Sequence, residues 1–182
     1  MMIVFDDKII LRRVISGGQT GADVAGLDAA KTMGYETGGH APLGFRTLNG
    51  PNLRLRDEYG LEETKQSNYQ VRTALNVKNS DATIRFATNF NSPGELCTLK
   101  AINKFNKPRL DVDLTKYFYA GSTDMVRDFF DFNQERIIRF LIDRQVIVLN
   151  IAGNADHGDS LKHYGITRLF LVSLFEKIKK TK

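Results

Sequence analysis

Apolar positions along this chain fall into short continuous runs that alternate with stretches of helical spacing. Ile9-Ile10-Leu11-Arg12-Arg13-Val14-Ile15-Ser16 reads as a first strand, and a glycine turn leads straight into residues 20–33, whose alanines and leucine are spaced for a helix packed on a sheet. Residues 68–79 predict a second helix, 81–87 a strand that delivers the polar segment 88–92, and 94–105 a third helix. Lys107-Pro108 breaks the chain before a short strand at 109–114. A longer amphipathic helix rich in Phe and Ile is predicted for 124–143, the best buried strand for 146–152, and a closing helix for 164–179. Residues 38–61 keep neither period and hold Pro42, Pro51 and several glycines, which predicts a long loop. Loops of that length in a compact domain are usually functional or disordered, and its central position favours function.

Strand and helix thus alternate, which predicts an α/β fold: a single Rossmann-like domain with a mainly parallel sheet and helices on both faces. At 182 residues the chain suits one domain spanning 1–182. In open parallel sheets ligands bind beyond the carboxyl ends of the strands. The loops at Gly17, Gly38, Asn89 and Gly153 each follow a candidate strand, so they can meet in one crevice.

Composition narrows the setting. No apolar run approaches the roughly 20 residues that cross a bilayer, so no membrane partner is expected. The first seven residues lack the basic and apolar regions of a secretory leader, and Cys97 is the sole cysteine, so the expected location is cytoplasmic. The net charge of +5 is partly gathered in Lys177-Ile178-Lys179-Lys180-Thr181-Lys182, where cations suit the end of a helix. Neither an aromatic-interleaved basic stripe nor a nucleic-acid motif accompanies it, which argues against a nucleic-acid partner. The remaining positive charge suits an anionic ligand.

The most informative segment is Ser16-Gly17-Gly18-Gln19-Thr20-Gly21-Ala22-Asp23. Small residues let backbone N–H groups approach an anion where a helix begins, and the helix N-terminus adds partial positive charge. The segment departs from the dinucleotide fingerprint and lacks the ending of a P-loop. A plain strand-to-helix turn with Thr20 as N-cap is the competing reading. Tyr69, Arg72, Thr73 and Asn76 follow i, i+3, i+4, i+7 and so share one helix face. Such a stripe either faces water or, with one Arg and three neutral hydrogen-bonding groups, recognises a polar anion. Arg46, with Arg54 and Arg56, offers further positive charge from the long loop. His40 can stack or pack, while His157 and His163 lack metal spacing; with one cysteine, no directly bound metal is expected. Asp23, Glu63, Asp81 and Glu95 are unspecific acid or base candidates, since carboxylates near helix starts commonly act as caps.

The ordered set Ile15-Ser16-Gly17-Gly18-Gln19-Thr20-Gly21-Ala22-Asp23, Gly38-Gly39, Pro42-Leu43-Gly44-Phe45-Arg46, Tyr69 with Arg72-Thr73, Asn76-Val77, Ser80-Asp81 and Asn150-Ile151-Ala152-Gly153 resembles the "putative molybdenum carrier" family. The resemblance implies a Rossmann-like fold, frequent homo-oligomers, and kinship with sensors of nucleotide-derived ligands and with lysine-decarboxylase-like phosphoribohydrolases. It implies ligand binding by Gly17, Gly18, Gln19, Thr20, Gly21, Asp23, Gly39, Arg46, Tyr69, Arg72, Thr73 and Asn76. The implied ligand is molybdenum cofactor, a phosphorylated pterin, or a nucleotide derivative. Pro93-Gly94 and Thr98-Leu99 resemble the second phosphoribohydrolase motif, which adds Gly94 and Thr98. Glu95 stands where relatives carry a small residue, so either Glu95 points away or this loop does not hold phosphate. Lys100-Ala101 replaces acidic residues of that motif, which puts hydrolysis by that route in doubt. Arg85, in a central strand, is expected to be paired or near the strand's end.

The leading expectation is a protein that binds or carries a phosphorylated heterocycle, with residues 17–21 around the phosphate and Arg46 and Arg72 neutralising charge. The alternatives are a nucleotide-processing enzyme using Glu95 or Asp81, and a nucleotide-ligand sensor. Self-association is also expected from the Phe-rich helix, whose apolar surface exceeds what one core needs.

Overall fold

Every strand of the five-stranded main sheet runs parallel to its neighbours. The computed structural model describes residues 8–180. Along the chain these form β1 (Arg13–Ser16), α1 (Ala22–Thr32), β2 (Glu36–Gly38), β3 (His40–Ala41), β4 (Arg46–Thr47), β5 (Gly50–Pro51), α2 (Arg54–Asp57) and β6 (Glu62–Glu63). There follow α3 (Tyr69–Lys78), β7 (Ala82–Ala87), α4 (Pro93–Phe105), β8 (Arg109–Asp113), α5 (Thr115–Phe118), α6 (Thr123–Asp143), β9 (Val148–Gly153) and α7 (Lys162–Lys180). The first seven residues, read above for a leader pattern, and Thr181 and Lys182 of the basic tail lie outside the described residues.

The chain leaves β1 outward to β2, crosses to β7 and β8 on the other side, and returns with β9 between β1 and β7. Right-handed crossovers in opposite directions place helices on opposite faces. Ala22, Ala29 and Ala30 of α1 share one core with Val14, Ile84, Phe86, Leu149, Ile151, the α6 residues Phe129, Ile137 and Leu141, and the α7 residues Phe170, Leu171, Leu174 and Phe175. The other face is thinner: Val77 of α3 packs with Ala101 and Ile102 of α4. Beneath those two helices the sheet carries polar groups, and Asn150 Nδ2 donates to Thr83 Oγ1 at 3.1 Å.

Arg85 emerges on this polar face. It forms a two-pronged pair with Asp111 of β8 at 2.8 and 2.6 Å, and its Nη1 donates to Glu95 O at 3.2 Å. The guanidinium also lies 5.0 Å from the Phe90 ring centroid. A buried charge is tolerable only when so satisfied.

Two differences from the sequence reading have physical causes. The expected first strand, 9–16, is ladder-paired only over Arg13–Ser16, because its two parallel partners begin there, β2 at Glu36 and β9 at Val148, and β2, at three residues, is itself too short to show a period. The expected loop at 38–61 is an ordered excursion with β3 paired to β6 and β4 to β5. It closes over its own core of Ala41, Phe45, Leu55, Tyr59 and Leu61, seated on Leu27 of α1. None of the helices of the described residues is long and apolar enough to cross a membrane.

Candidate functional site

Beyond the carboxyl ends of β1, β9 and β7 lies a cavity of about 780 Å³. Gln19 and Asp23 line it from the glycine turn, Tyr69, Arg72 and Thr73 from α3, and Gly94, Glu95 and Thr98 from α4. Asn154 and His163 close the far wall, and Leu48 reaches in from the excursion. That volume is in the range of small-molecule and cofactor sites.

The α3 stripe turns inward. Asn68 caps the helix by accepting from Gln70 N and Val71 N, which starts α3 so that Tyr69, Arg72 and Thr73 face the cavity. Arg72 Nη1 donates to Asp23 Oδ2 at 3.0 Å, and the guanidinium carbon stands 5.8 Å from the Tyr69 ring centroid. Arg72 Nε is buried without a partner among the described residues. Asp23 Oδ2 also accepts from Gln19 N at 3.2 Å, so this carboxylate joins the glycine turn to α3. Burial raises the Asp23 pKa, and Arg72 and the Gln19 N–H counter that rise.

Asn76, the last member of the stripe, lies outside the cavity. Its amide is paired both ways with the backbone of His40, accepting from the N–H at 2.8 Å and donating to the carbonyl at 3.0 Å. The His40 ring stands against Asn79 Nδ2, also away from the cavity.

The glycines of the turn make room chiefly for the protein itself. A Cβ on Gly17 would overlap the Arg72 guanidinium. Gly18 has φ +69° and faces Leu55 and Leu61 of the excursion. Gly21 is the α1 N-cap position and makes no side-chain cap; Thr20, the cap expected in the plain-turn reading, instead donates its hydroxyl to Asp156 O at 2.7 Å. The N–H groups of Gln19, Thr20 and Ala22 are bonded to Asp23, Gln19 Oε1 and Asn154 O. The helix dipole of α1 is therefore aimed at Asn154, and Gly17, Gly18, Thr20 and Gly21 stand behind the cavity wall rather than in it.

Gly39 backs onto Ser16, and exposed Arg46 pairs in β4 with Pro51; neither lines the cavity. Arg54 is engaged by Glu58 and Arg56 by Asp57, so neither offers a free charge. Asp81 and Glu63 are structural: Asp81 accepts from Ile147 N and Val148 N at the entry to β9, and Glu63 accepts from Gly44 N.

Glu95 points inward. It sits in the first turn of α4, where Ser92 caps and Pro93 opens the helix, and is 2% exposed on the cavity wall. Its Oε2 lies 3.4 Å from Arg85 Nη1, a cation already held by Asp111. Burial pushes its pKa up to about 7, countered mainly by Arg85 and reinforced by Asp23 and Asp111. Thr98, one turn on, donates its hydroxyl to Gly94 O at 3.1 Å.

The far wall contains groups that local pattern did not single out. Asn154 Oδ1 accepts from Thr88 N and Asn89 N at 2.9 and 3.0 Å, fastening the β7 loop to the β9 loop. Asp156 accepts from the backbone of His163 and Tyr164 at the start of α7 and from His163 Nδ1 at 2.8 Å. That places a proton on Nδ1, and Nε2 lies 3.1 Å from Thr88 Oγ1. The sequence signals for this wall were the polar segment 88–92, the loop after β9 and the two histidines beyond it, none of which revealed the bonds among them. Among the described residues no three His, Cys, Asp or Glu side chains are placed to hold a metal ion.

The sequence matches the circularly permutated YpsA SLOG family over residues 14–169. A crystal structure described as a putative molybdenum carrier protein from Syntrophus aciditrophicus SB superposes with a TM-score of 0.77 at 30% identity, over 92% of this chain and 96% of that one. No curated protein matches the chain.

Proposed function

The chain belongs to the circularly permutated YpsA SLOG family, and from that premise we propose that it binds and carries a phosphorylated heterocycle in the cavity between α3 and α4. One observation supports this above the others: Arg72, aligned by Asp23, is a cation on the cavity wall whose buried Nε donor has no partner among the described residues. An unsatisfied buried donor is costly, and a charge-assisted bond to phosphate removes that cost. Tyr69, 39% exposed beside Arg72, offers a ring face for a heterocycle.

Molybdenum, named for the Syntrophus protein, enters this reading as cargo. With no cluster of metal-ligating side chains among the described residues, the chain would hold molybdenum cofactor through its pterin and phosphate. Nucleotide derivatives present the same combination of ring and phosphate. Native mass spectrometry of the purified protein tests the proposal: a retained phosphorylated mass is expected, and a ligand-free protein that takes up no member of a nucleotide and pterin phosphate panel contradicts it.

A second reading, a nucleotide-processing enzyme, is favoured by Glu95, because a buried carboxyl titrating near 7 suits proton transfer. Release of free base from nucleoside monophosphates, lost in Glu95→Gln, would put this reading first. We also propose a cytoplasmic location, supported by the single cysteine, and homo-oligomers, supported by Met125 and Phe132 of α6, which are 51% and 60% exposed.

A further inference from the structure

The charge inventory of the cavity is unusual for a phosphate site. Of the side chains that line it, Arg72 is the only permanent cation, and Asp23 and Glu95 are both acids. Arg72 is already opposed by Asp23 at 3.0 Å. Glu95 meets Arg85 from β7, with Asp111 of β8 on the same cation, and feels Asp23 of α1 and Arg72 of α3. A phosphate entering beside Arg72 therefore adds negative charge to a wall that holds two carboxyls and one compensated cation.

We infer, building on the carrier reading, that Glu95 sets the charge this cavity accepts: a phosphomonoester enters with uptake of one proton by the Glu95 carboxyl. The step balances simply. The proton comes from solvent, binds a Glu95 oxygen, and no covalent bond to the ligand forms or breaks. Protonation turns a repelling acceptor into a hydrogen-bond donor toward phosphate, with Arg85 still held by Asp111.

Adenosine 5′-monophosphate serves as the probe, titrated calorimetrically into the parent and Glu95→Gln at pH 6 and pH 8. The Gln variant is expected to bind the monophosphate about as tightly as the parent at pH 6 and roughly tenfold more tightly at pH 8, one pKa unit of coupling being tenfold. At pH 8, where the monophosphate is fully dianionic, repeating the parent titration in two buffers of different ionisation enthalpy should reveal proton uptake approaching one per ligand. This arm needs no variant, so it stands if Glu95→Gln fails to fold. Equal parent-to-variant affinity ratios at both pH values, or absence of proton uptake at pH 8, overturns the inference and leaves the carrier reading intact. Absence of monophosphate binding by both proteins at both pH values removes the inference together with its premise for this ligand class.

Discussion

The Glu95 carboxyl, lifted by burial from 4.5 to about 7, keeps a proton in the folded protein that the unfolded chain has already released across that window. Because the folded state binds the extra proton, stability from this group is highest below pH 4.5 and falls as pH rises to about 7. The loss is on the order of 3 kcal/mol. Urea unfolding of Glu95→Gln at pH 5 and pH 8 should show a smaller fall than the parent, and equal falls would contradict the burial argument. Gly18 carries a related lesson. Conceived as a residue that lets an anion approach, it stands against Leu55 and Leu61 at positive φ, so Gly18→Val strains the backbone and disturbs packing before it reports on any ligand. The glycine pattern was legible, but what the glycines make room for was not, because Arg72 and Leu55 reach the turn from distant parts of the chain.

At the scale of elements, α1, α3, α4, β7 and β9 were legible because each is long enough to display its period. The excursion was not, since its strands are two residues long and its order comes from packing on α1. Leu55 is fully buried in that packing, beneath the wall that supplies Leu48 to the cavity. Leu55→Ala should cost about 2–5 kcal/mol in chemical denaturation. A change under about 0.5 kcal/mol, the level of ordinary surface substitutions, would mean that the excursion is not packed as described. The far wall escaped sequence reading for a different reason: Asn154, Asp156 and His163 acquire their roles only when β9 returns between β1 and β7 and brings the last loop against the first two.

For the whole molecule, the parallel sheet with helices on both faces followed from the alternation of elements, and the candidate cavity lies where such sheets place ligands. The exposed apolar side chains of α6 motivate self-association, and sedimentation at micromolar concentration should reveal a species larger than a monomer; a lone monomer would remove that proposal. Ligand binding itself is tested best at Arg72, but Arg72→Ala would strand the buried Asp23 carboxylate and confuse folding with binding. The double substitution Asp23→Asn with Arg72→Gln removes both charges of the pair and leaves uncharged hydrogen-bonding side chains in their places. Calorimetry with the phosphorylated ligand found by native mass spectrometry should then show a loss of roughly ten- to a hundredfold in affinity, equivalent to about 1.5–3 kcal/mol for one charge-assisted bond, while the protein stays folded. Undiminished affinity in that folded variant would contradict the assignment of Arg72 as the phosphate-binding residue.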